Sequence, residues 1–295
     1  MTEHAPAVDW IAVDWGTSNL RAAAMAGDRV VETRQSDRGM GALGPGDFAP
    51  ALEAICHGWP TAAPVLAAGM VGARQGWVEA PYLPAPCAPP GLAQAARAPG
   101  PREVWVLPGV CQARPADVMR GEETQIAGWL ARAPDFDGVL CLPGTHSKWV
   151  RISAGEIVSF QTFMTGELFQ TLTRHSVLRH TVTGDGWDDA AFAVALGDAL
   201  SRPAAVAAAL FGLRAQALLD GLDPGTARAR LSGLLIGLEL GAARPYWLGQ
   251  AVGLIGSDRV TGVYGAALGA QGVPVESADG QAMTRAGLVA AKGGT

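Results

Sequence analysis

Cysteine is scarce and scattered in this 295-residue chain: Cys56, Cys87, Cys111 and Cys141 lie far apart, with no C-x-x-C pair and no flanking histidine pattern. That spacing argues against a zinc site and fits a reducing compartment. Positive charge is also in deficit, with 22 Lys and Arg against 27 Asp and Glu, a formal net charge of −5. No basic field draws such a chain to nucleic acid, so the expected partners are small molecules. Long apolar runs are missing too. The richest tracts, "AFAVALGDALSRPAAVAAALFGL" and "LSGLLIGLELGAA", are broken by Asp198, Arg202, Pro203 and Glu239, and no membrane span is expected. The opening "MTEHAPAVDW" lacks the basic head and apolar stretch of a secretory signal, so the expected location is the cytoplasm. What remains, 49% hydrophobic and 17% charged residues with 39 Gly, is a globular composition long enough for two ordinary domains.

The first informative stretch is "AVDWGTSNLRAAAMAGDRV", residues 12–30. An apolar strand runs into Asp14 and turns at once on Gly16, Thr17, Ser18 and Asn19 before leaving on Arg21. A buried carboxylate is costly unless it is paired, hydrogen-bonded or metal-bound. A turn of small residues offers amides and hydroxyls at close range, as phosphate-binding loops do. The stretch therefore reads as a site for a nucleotide phosphate and its Mg²⁺. The alternative is a plain hairpin in which Asp14 caps the amides of residues 17–19.

Sliding the chain by 128 residues lays Gly16 over Gly144, Thr17 over Thr145, Gly27 over Gly155, Asp28 over Glu156 and Val30 over Val158. Each copy reads as a strand (residues 10–14 and 138–142), a Gly-Thr turn, a second strand, an Ala-Gly-acid turn and a third strand. A candidate helix follows each, over 45–59 and 165–178, the latter with Gly166 and Glu167 in its first turn. Two such halves facing each other present two turns to a shared cleft. Asp14 falls opposite Leu142, so only the first turn carries a carboxylate. One Asp suffices for a hydrated Mg²⁺, whereas the second turn, with Gly144, Thr145, His146 and Ser147, need only donate to phosphate oxygens.

This plan resembles the actin/hexokinase/Hsp70 superfamily. "VDWGTSNLR" stands as the first phosphate motif and "CLPGTHSKW" as the second. "VGLIGSDRVTGVYGAALGAQGV", residues 252–273, has the form of the adenosine motif, with Gly256 and Ser257 in the turn and Asp258 as N-cap of the helix. A closer resemblance is to the 2-dehydro-3-deoxygalactonokinase family. It is carried in addition by "GMVGARQGWVEAPYLPAP", "DVMRGEETQIAG", "FQTFMTGELFQTLTRHSVL" and "LSGLLIGLELGAA". The resemblance implies an α/β fold of two related ribonuclease-H-like (actin/hexokinase-type) domains with a nucleotide cleft, divided here as residues 1–132 and 133–295. It also implies ATP with Mg²⁺, and phosphorylation of the C6 hydroxyl of 2-dehydro-3-deoxy-D-galactonate to 2-dehydro-3-deoxy-6-phosphogalactonate. Homo-oligomerisation and the choice between galactonate and gluconate epimers stay open.

Such a reaction needs a base, a metal–nucleotide complex, cations for the moving phosphoryl group and a polyol pocket. In "MRGEETQIAGWL" Glu122 and Glu123 open a helix, where superfamily kinases place a catalytic acid before Thr. Glu123 precedes Thr124 and is preferred, with Glu122 as its rival; the plainer reading has both carboxylates complementing the helix dipole. Residues 67–86 read as an irregular segment carrying Arg74, Gln75, Trp77, Glu79 and Tyr82. Arg74 suits the substrate carboxylate, because its fork can bind both oxygens; Trp77 and Tyr82 serve either the sugar acid or packing. Arg21 and Lys148, at matching ends of the hairpins, are phosphate ligands or solvated strand-end charges. His146 is read as a local hydrogen-bonding group, and Glu167, His175 and Ser176 carry no assigned role. Two other classes are weighed: a phosphohydrolase of exopolyphosphatase type, which shares "GEE" at a helix start, and a non-catalytic nucleotide-binding sugar sensor.

Overall fold

The computed structural model describes residues 7–293. They divide into two compact units, the first made of residues up to Asp137, Ile152–Ser159 and everything from Asp279 on, the second of Gly138–Arg151 and Phe160–Ala278.

In the first unit the chain runs through β1 (Trp10–Trp15), β2 (Leu20–Ala26), β3 (Arg29–Ser36), α1 (Phe48–Ile55), β4 (Val65–Ala68), β5 (Tyr82–Pro84), β6 (Ala96–Arg97), β7 (Val104–Val106), β8 (Gly109–Ala113), β9 (Ala116–Met119) and α2 (Glu122–Arg132). The main sheet has the order β3-β2-β1-β4-β7-β6, and β5, β8 and β9 make a small second sheet. β1, β4 and β7 are parallel, whereas β1–β2–β3 is an antiparallel meander. β1 is apolar on both faces, as a central strand covered from two sides must be. Ile11, Val13 and Trp15 join a core with Phe48 and Leu52, while Trp10 and Ala12 pack toward Leu288 and Ala291.

From Gly138 the chain runs through β10 (Gly138–Leu142), β11 (Ser147–Ser153), β12 (Glu156–Phe163), α3 (Thr165–His175), α4 (Asp189–Ser201), α5 (Val206–Leu219), α6 (Pro224–Ala242), α7 (Arg244–Trp247), β13 (Val252–Gly256), α8 (Asp258–Gly269) and β14 (Val275–Asp279), all in the second unit except Ile152–Ser159 and Asp279. Their sheet order, β12-β11-β10-β13-β14, repeats the β3-β2-β1-β4-β7 order of the first unit. β10 and β13 are parallel, as β1 and β4 are. The 128-residue offset read from the sequence thus lands strand on strand.

The last helix, α9 (Gly280–Gly293), departs from the expected division at 132 and 133, which left it with the second half. It belongs to the first unit because it lies against α2 at backbone contact. A Cβ on Gly128 would stand 2.0 Å from the Met283 carbonyl oxygen, and one on Gly287 only 1.8 Å from that of Thr124. The first unit also continues to Asp137 rather than 132.

The other departures are local. The helix expected over 45–59 is confined to Phe48–Ile55, and that over 165–178 ends at His175 before a 3₁₀ turn at Val177–His180. Among the described residues no single helix is long and apolar enough to cross a membrane, and the apolar pair Asp189–Ser201 and Pro203–Leu219 meets at 112°.

Candidate active site

In the first unit the parallel register sets Asp14 beside Ala68, so the segments following β1 and β4 emerge together. Sites on such sheets form at the carboxyl ends of parallel strands. Asp14 finds its partner across the hairpin: Arg21, its antiparallel neighbour in register, donates from Nη1 to Oδ2 at 3.2 Å. Burial raises the Asp14 pKa and Arg21 opposes the rise. Among the described residues Asp14 takes no bond from the amides of 17–19, which removes the capping alternative. Thr17 and Ser18 form the exposed tip, and Gly16 closes the turn through its amide to the Asn19 carbonyl at 2.9 Å. The turn is braced from behind by the amides of Met40 and Gly41, which donate to the carbonyls of Gly16 and Thr17 at 2.9 Å each.

The segment after β4 begins at Gly69, whose φ of +99° and closeness to the Trp15 carbonyl leave no room for a side chain. Arg74 and Gln75 are exposed, and Arg74 pairs with Glu79 at 3.4 Å, both largely in solvent. Trp77 turns inward. It stacks on Phe48 with centroids 6.2 Å apart and meets Trp15 edge-on at 6.0 Å, so packing is its role and the expectation of a sugar-stacking ring is withdrawn. Tyr82 is 40% exposed and has the Arg120 guanidinium 4.3 Å from its ring centroid.

Gly121, at φ +107° and within van der Waals reach of Gly69, brings the start of α2 to this segment. Glu122 is half-buried and accepts the Arg120 amide at 3.0 Å. Glu123 is fully buried, and both of its oxygens accept the Gly121 amide at 2.8 Å. Burial, reinforced by the neighbouring Glu122, pushes its pKa up to about 7, against the Gly121 bond and the Arg120 charge. A carboxylate that merely complemented a helix dipole would be lowered instead.

In the second unit β10 ends beside β13, and Gly256 lies close to the Pro143 carbonyl. Gly144, Thr145 and His146 form an exposed tip. The start of α3 leans on it: the Glu167 amide donates to the Thr145 carbonyl at 2.9 Å, and Glu167 Oε2 lies 2.6 Å from His146 Nε2. This supports the local hydrogen-bonding reading of His146 and gives Glu167 a bracing role. Ser147 and Lys148 are buried, which rules out a solvated strand-end charge for Lys148. The Ser147 hydroxyl points into the unit, 2.9 Å from the Tyr264 hydroxyl; Tyr264 donates to Glu239 at 2.8 Å, and so does the Trp149 indole. Ser147 is therefore part of a buried network rather than an exposed phosphate donor. Burial raises the Glu239 pKa, while bonds from Thr165, Trp149, Tyr264 and Ser147 hold it down. Ser257, not Asp258, is the N-cap of α8; its carbonyl takes the amides of Val260 and Thr261, and Asp258 is already helical.

Beside this tip lies a recess of about 510 Å³ whose lining includes Thr145, Phe169, Arg228, Arg259 and Tyr264. Arg228 lies over the Phe169 ring at 5.1 Å, and burial followed by repulsion from Arg259 lowers its pKa. Two cations and an aromatic face in one concavity suit an anionic ligand with a flat ring. The sequence reading missed Arg228, Arg259 and Phe169, because only the packing of α3, α6 and α8 brings them together. Among the described residues no group of three or more His, Cys, Asp or Glu could hold a metal. A lone Asp14 carboxylate fits a hydrated Mg²⁺ that draws its remaining ligands from water and phosphate.

Comparison with known proteins gives the family and the fold. The family model described as 2-keto-3-deoxy-galactonokinase matches residues 14–291. A Rhizobium meliloti (strain 1021) protein described as 2-dehydro-3-deoxygalactonokinase DgoK1 is 42% identical over 96% of this chain and 96% of its own. The Escherichia coli (strain K12) 2-dehydro-3-deoxygalactonokinase is 36% identical over 95% of this chain and 96% of its own. A crystal structure described as a 2-dehydro-3-deoxygalactonokinase from Sinorhizobium meliloti superposes with a TM-score of 0.89 at 40% identity, covering 96% of this chain and 97% of that one. The activator of 2-hydroxyisocaproyl-CoA dehydratase from Clostridium difficile, solved with bound ADPNP, shares the fold at a TM-score of 0.51 and 10% identity, over 95% and 92% of the two chains. With the fold of the actin/hexokinase/Hsp70 superfamily and a family match over nearly its whole length, this chain belongs to the 2-keto-3-deoxy-galactonokinase family.

Proposed function

We propose that this chain transfers the terminal phosphoryl group of ATP to the C6 hydroxyl of 2-dehydro-3-deoxy-D-galactonate, as a cytoplasmic sugar-acid kinase of galactonate catabolism. Besides family membership, one observation carries the reading: a carboxyl group whose pKa lies near neutrality stands at the start of α2, beside the segment that offers groups for a sugar acid.

Phosphoryl transfer is mostly positioning and charge stabilisation, so each group has a limited task. Glu123 takes the proton of the C6 hydroxyl, and a value near 7 lets it be ionised and still basic at neutral pH. It has no accessible surface in this structure, so the acceptor must displace its cover. Glu122, which is partly exposed, is the rival. Arg74, Gln75, Glu79 and Tyr82 are the exposed groups for the substrate, with Arg74 for its carboxylate. The turns at 16–19 and 144–146 supply amides and hydroxyls to phosphate oxygens, with Arg21 and Lys148 as cations. The Gly256–Ser257 turn and the Arg228–Arg259 recess hold the nucleotide. When bound, Mg²⁺ would lie toward Asp14 and neutralise phosphate charge.

A coupled ADP-release assay tests the proposal, with Mg-ATP against 2-dehydro-3-deoxy-D-galactonate, its gluconate epimer, simple hexoses and water alone. Preference for the galactonate compound is the expected result. Equal release in water makes the chain a hydrolase on the same fold and overturns the proposal.

A further inference from the structure

Arg120 has no place in the roles above. It stands between β9 and α2, one residue before Gly121, and is only 9% exposed. Nη2 donates to the Ala80 carbonyl at 2.8 Å, and the guanidinium lies 4.3 Å from the Tyr82 ring centroid. Nη1 sits so close to Gly72 that a Cβ there would meet it at 2.8 Å. All three neighbours belong to the segment after β4. Nε and Nη1 are buried and have no hydrogen-bond partner. A buried guanidinium ordinarily takes a carboxylate, since uncompensated buried donors and charges are costly. Arg120 has instead a carbonyl, a ring and a glycine, so no anion of its own neutralises it. In a low-dielectric interior such a charge acts over several ångströms.

We infer that Arg120 is a positioning residue: its buried guanidinium ties the segment bearing Ala80 and Tyr82 to the start of α2 and holds an unneutralised positive charge near the Glu123 carboxyl. The inference rests on Glu123 being the base. The neighbouring charges leave that task to Arg120. Glu122, on the same helix, opposes ionisation of Glu123, and Arg120 favours it. From α9, Arg285 lines the recess with Asp14 and Arg21, while Lys292 lies 5.5 Å from the Trp10 ring centroid. In the segment after β4, Arg74 and Glu79 pair with each other in solvent, and Asp14 is engaged by Arg21. Without the charge of Arg120, Glu123 keeps its proton to higher pH.

The test is the pH profile of kcat/KM for the sugar acid in Arg120→Gln, which keeps a donor for the Ala80 carbonyl but no charge, and in Arg120→Lys, which keeps the charge. In the Gln variant the acid limb moves up by a few tenths of a pH unit, so activity is down about twofold at pH 6 and matches wild type above pH 9. In the Lys variant the limb stays in place while the sugar-acid KM rises, because an ammonium cannot both lie flat on the Tyr82 ring and donate to the Ala80 carbonyl. A loss equal at every pH overturns the inference. So does an unmoved limb with a raised sugar-acid KM in the Gln variant, which makes Arg120 a substrate ligand instead. Should the Gln variant not fold, a limb displaced upward in the Lys variant decides against it. Glu123→Gln is read in parallel: wild-type turnover there removes the base reading itself, whereas loss there with an unmoved limb in Arg120→Gln removes only the role of Arg120.

Discussion

The amide of Gly121 stands 2.8 Å from both carboxylate oxygens of Glu123. This forked bond favours the anion, burial favours the acid, and the balance near 7 gives a measurable pH dependence. On the acid side kcat/KM should rise through about pH 7. Glu123→Gln should lower turnover by roughly 100-fold to 10,000-fold while leaving ATP affinity largely intact. Near-normal turnover rules Glu123 out.

The same group sets a stability prediction of opposite sense. Between its ordinary value of 4.5 and about 7 the folded protein holds a proton that the unfolded chain has lost. Stability therefore falls as pH rises through that window, and the cost is complete above it. Glu123→Gln removes the cost and should stabilise the protein at pH 8 by roughly 3 kcal/mol, with near parity at pH 4. Urea unfolding at the two pH values checks this, and no gain at pH 8 contradicts the buried ionised carboxylate.

Glu239 makes the contrary case, because its carboxylate is surrounded by donors. Glu239→Ala leaves the Trp149 indole and the Tyr264 hydroxyl without their acceptor, and should cost about 2–5 kcal/mol, the penalty of two orphaned buried donors. An unchanged urea midpoint shows that the network does not hold the second unit together.

Two helical glycines should respond in opposite directions. Gly287→Ala drives a methyl into the Thr124 carbonyl at 1.8 Å and should cost about 1–3 kcal/mol or more. Gly262, on α8, has nothing within 4 Å of the point where a methyl would stand, so Gly262→Ala should stabilise by roughly 0.5–1 kcal/mol. Paired thermal melts separate the two, and similar shifts remove the close contact of α2 with α9.

Arg74 and Arg259 are expected to act on different substrates. Arg74 pairs with Glu79 in solvent, so Arg74→Ala should leave the melting temperature unchanged while raising the KM for the sugar acid and not for ATP. Arg259→Ala should raise the ATP KM roughly tenfold, the ~1.4 kcal/mol of one charge-assisted contact. Equal effects of either variant on both substrates count against the assignments.

Local signals explain what was legible beforehand. Asp14, the two Gly-Thr turns and the Glu122–Glu123 pair lie in short contiguous motifs, and the 128-residue offset exposed the duplicated sheet. Trp77 could not be assigned in advance, since an aromatic in an irregular segment looks alike whether it faces a ligand or Phe48. Ser147 misled for a related reason: a hydroxyl at a strand start can face either way, and its direction was decided by Tyr264, 117 residues later. Arg228 and Arg259 lie on separate helices with no shared motif, so their proximity exists only after folding. Arg120 was overlooked beside the more conspicuous glutamates, and the missing partners of its nitrogens are visible only in three dimensions.

The position of α9 also dictates an order of assembly. Residues 279–293 are made only after the whole of the second unit has been synthesised, yet they close the Trp10 and Ala12 face of the first. The opening 137 residues must therefore wait, one face of their sheet uncovered, through the synthesis of about as many more before they can complete their core. The second unit, finished by Ala278, has no such delay. Losing the final helix would strip the first unit of its cover and leave the core of the second, though translated earlier, intact.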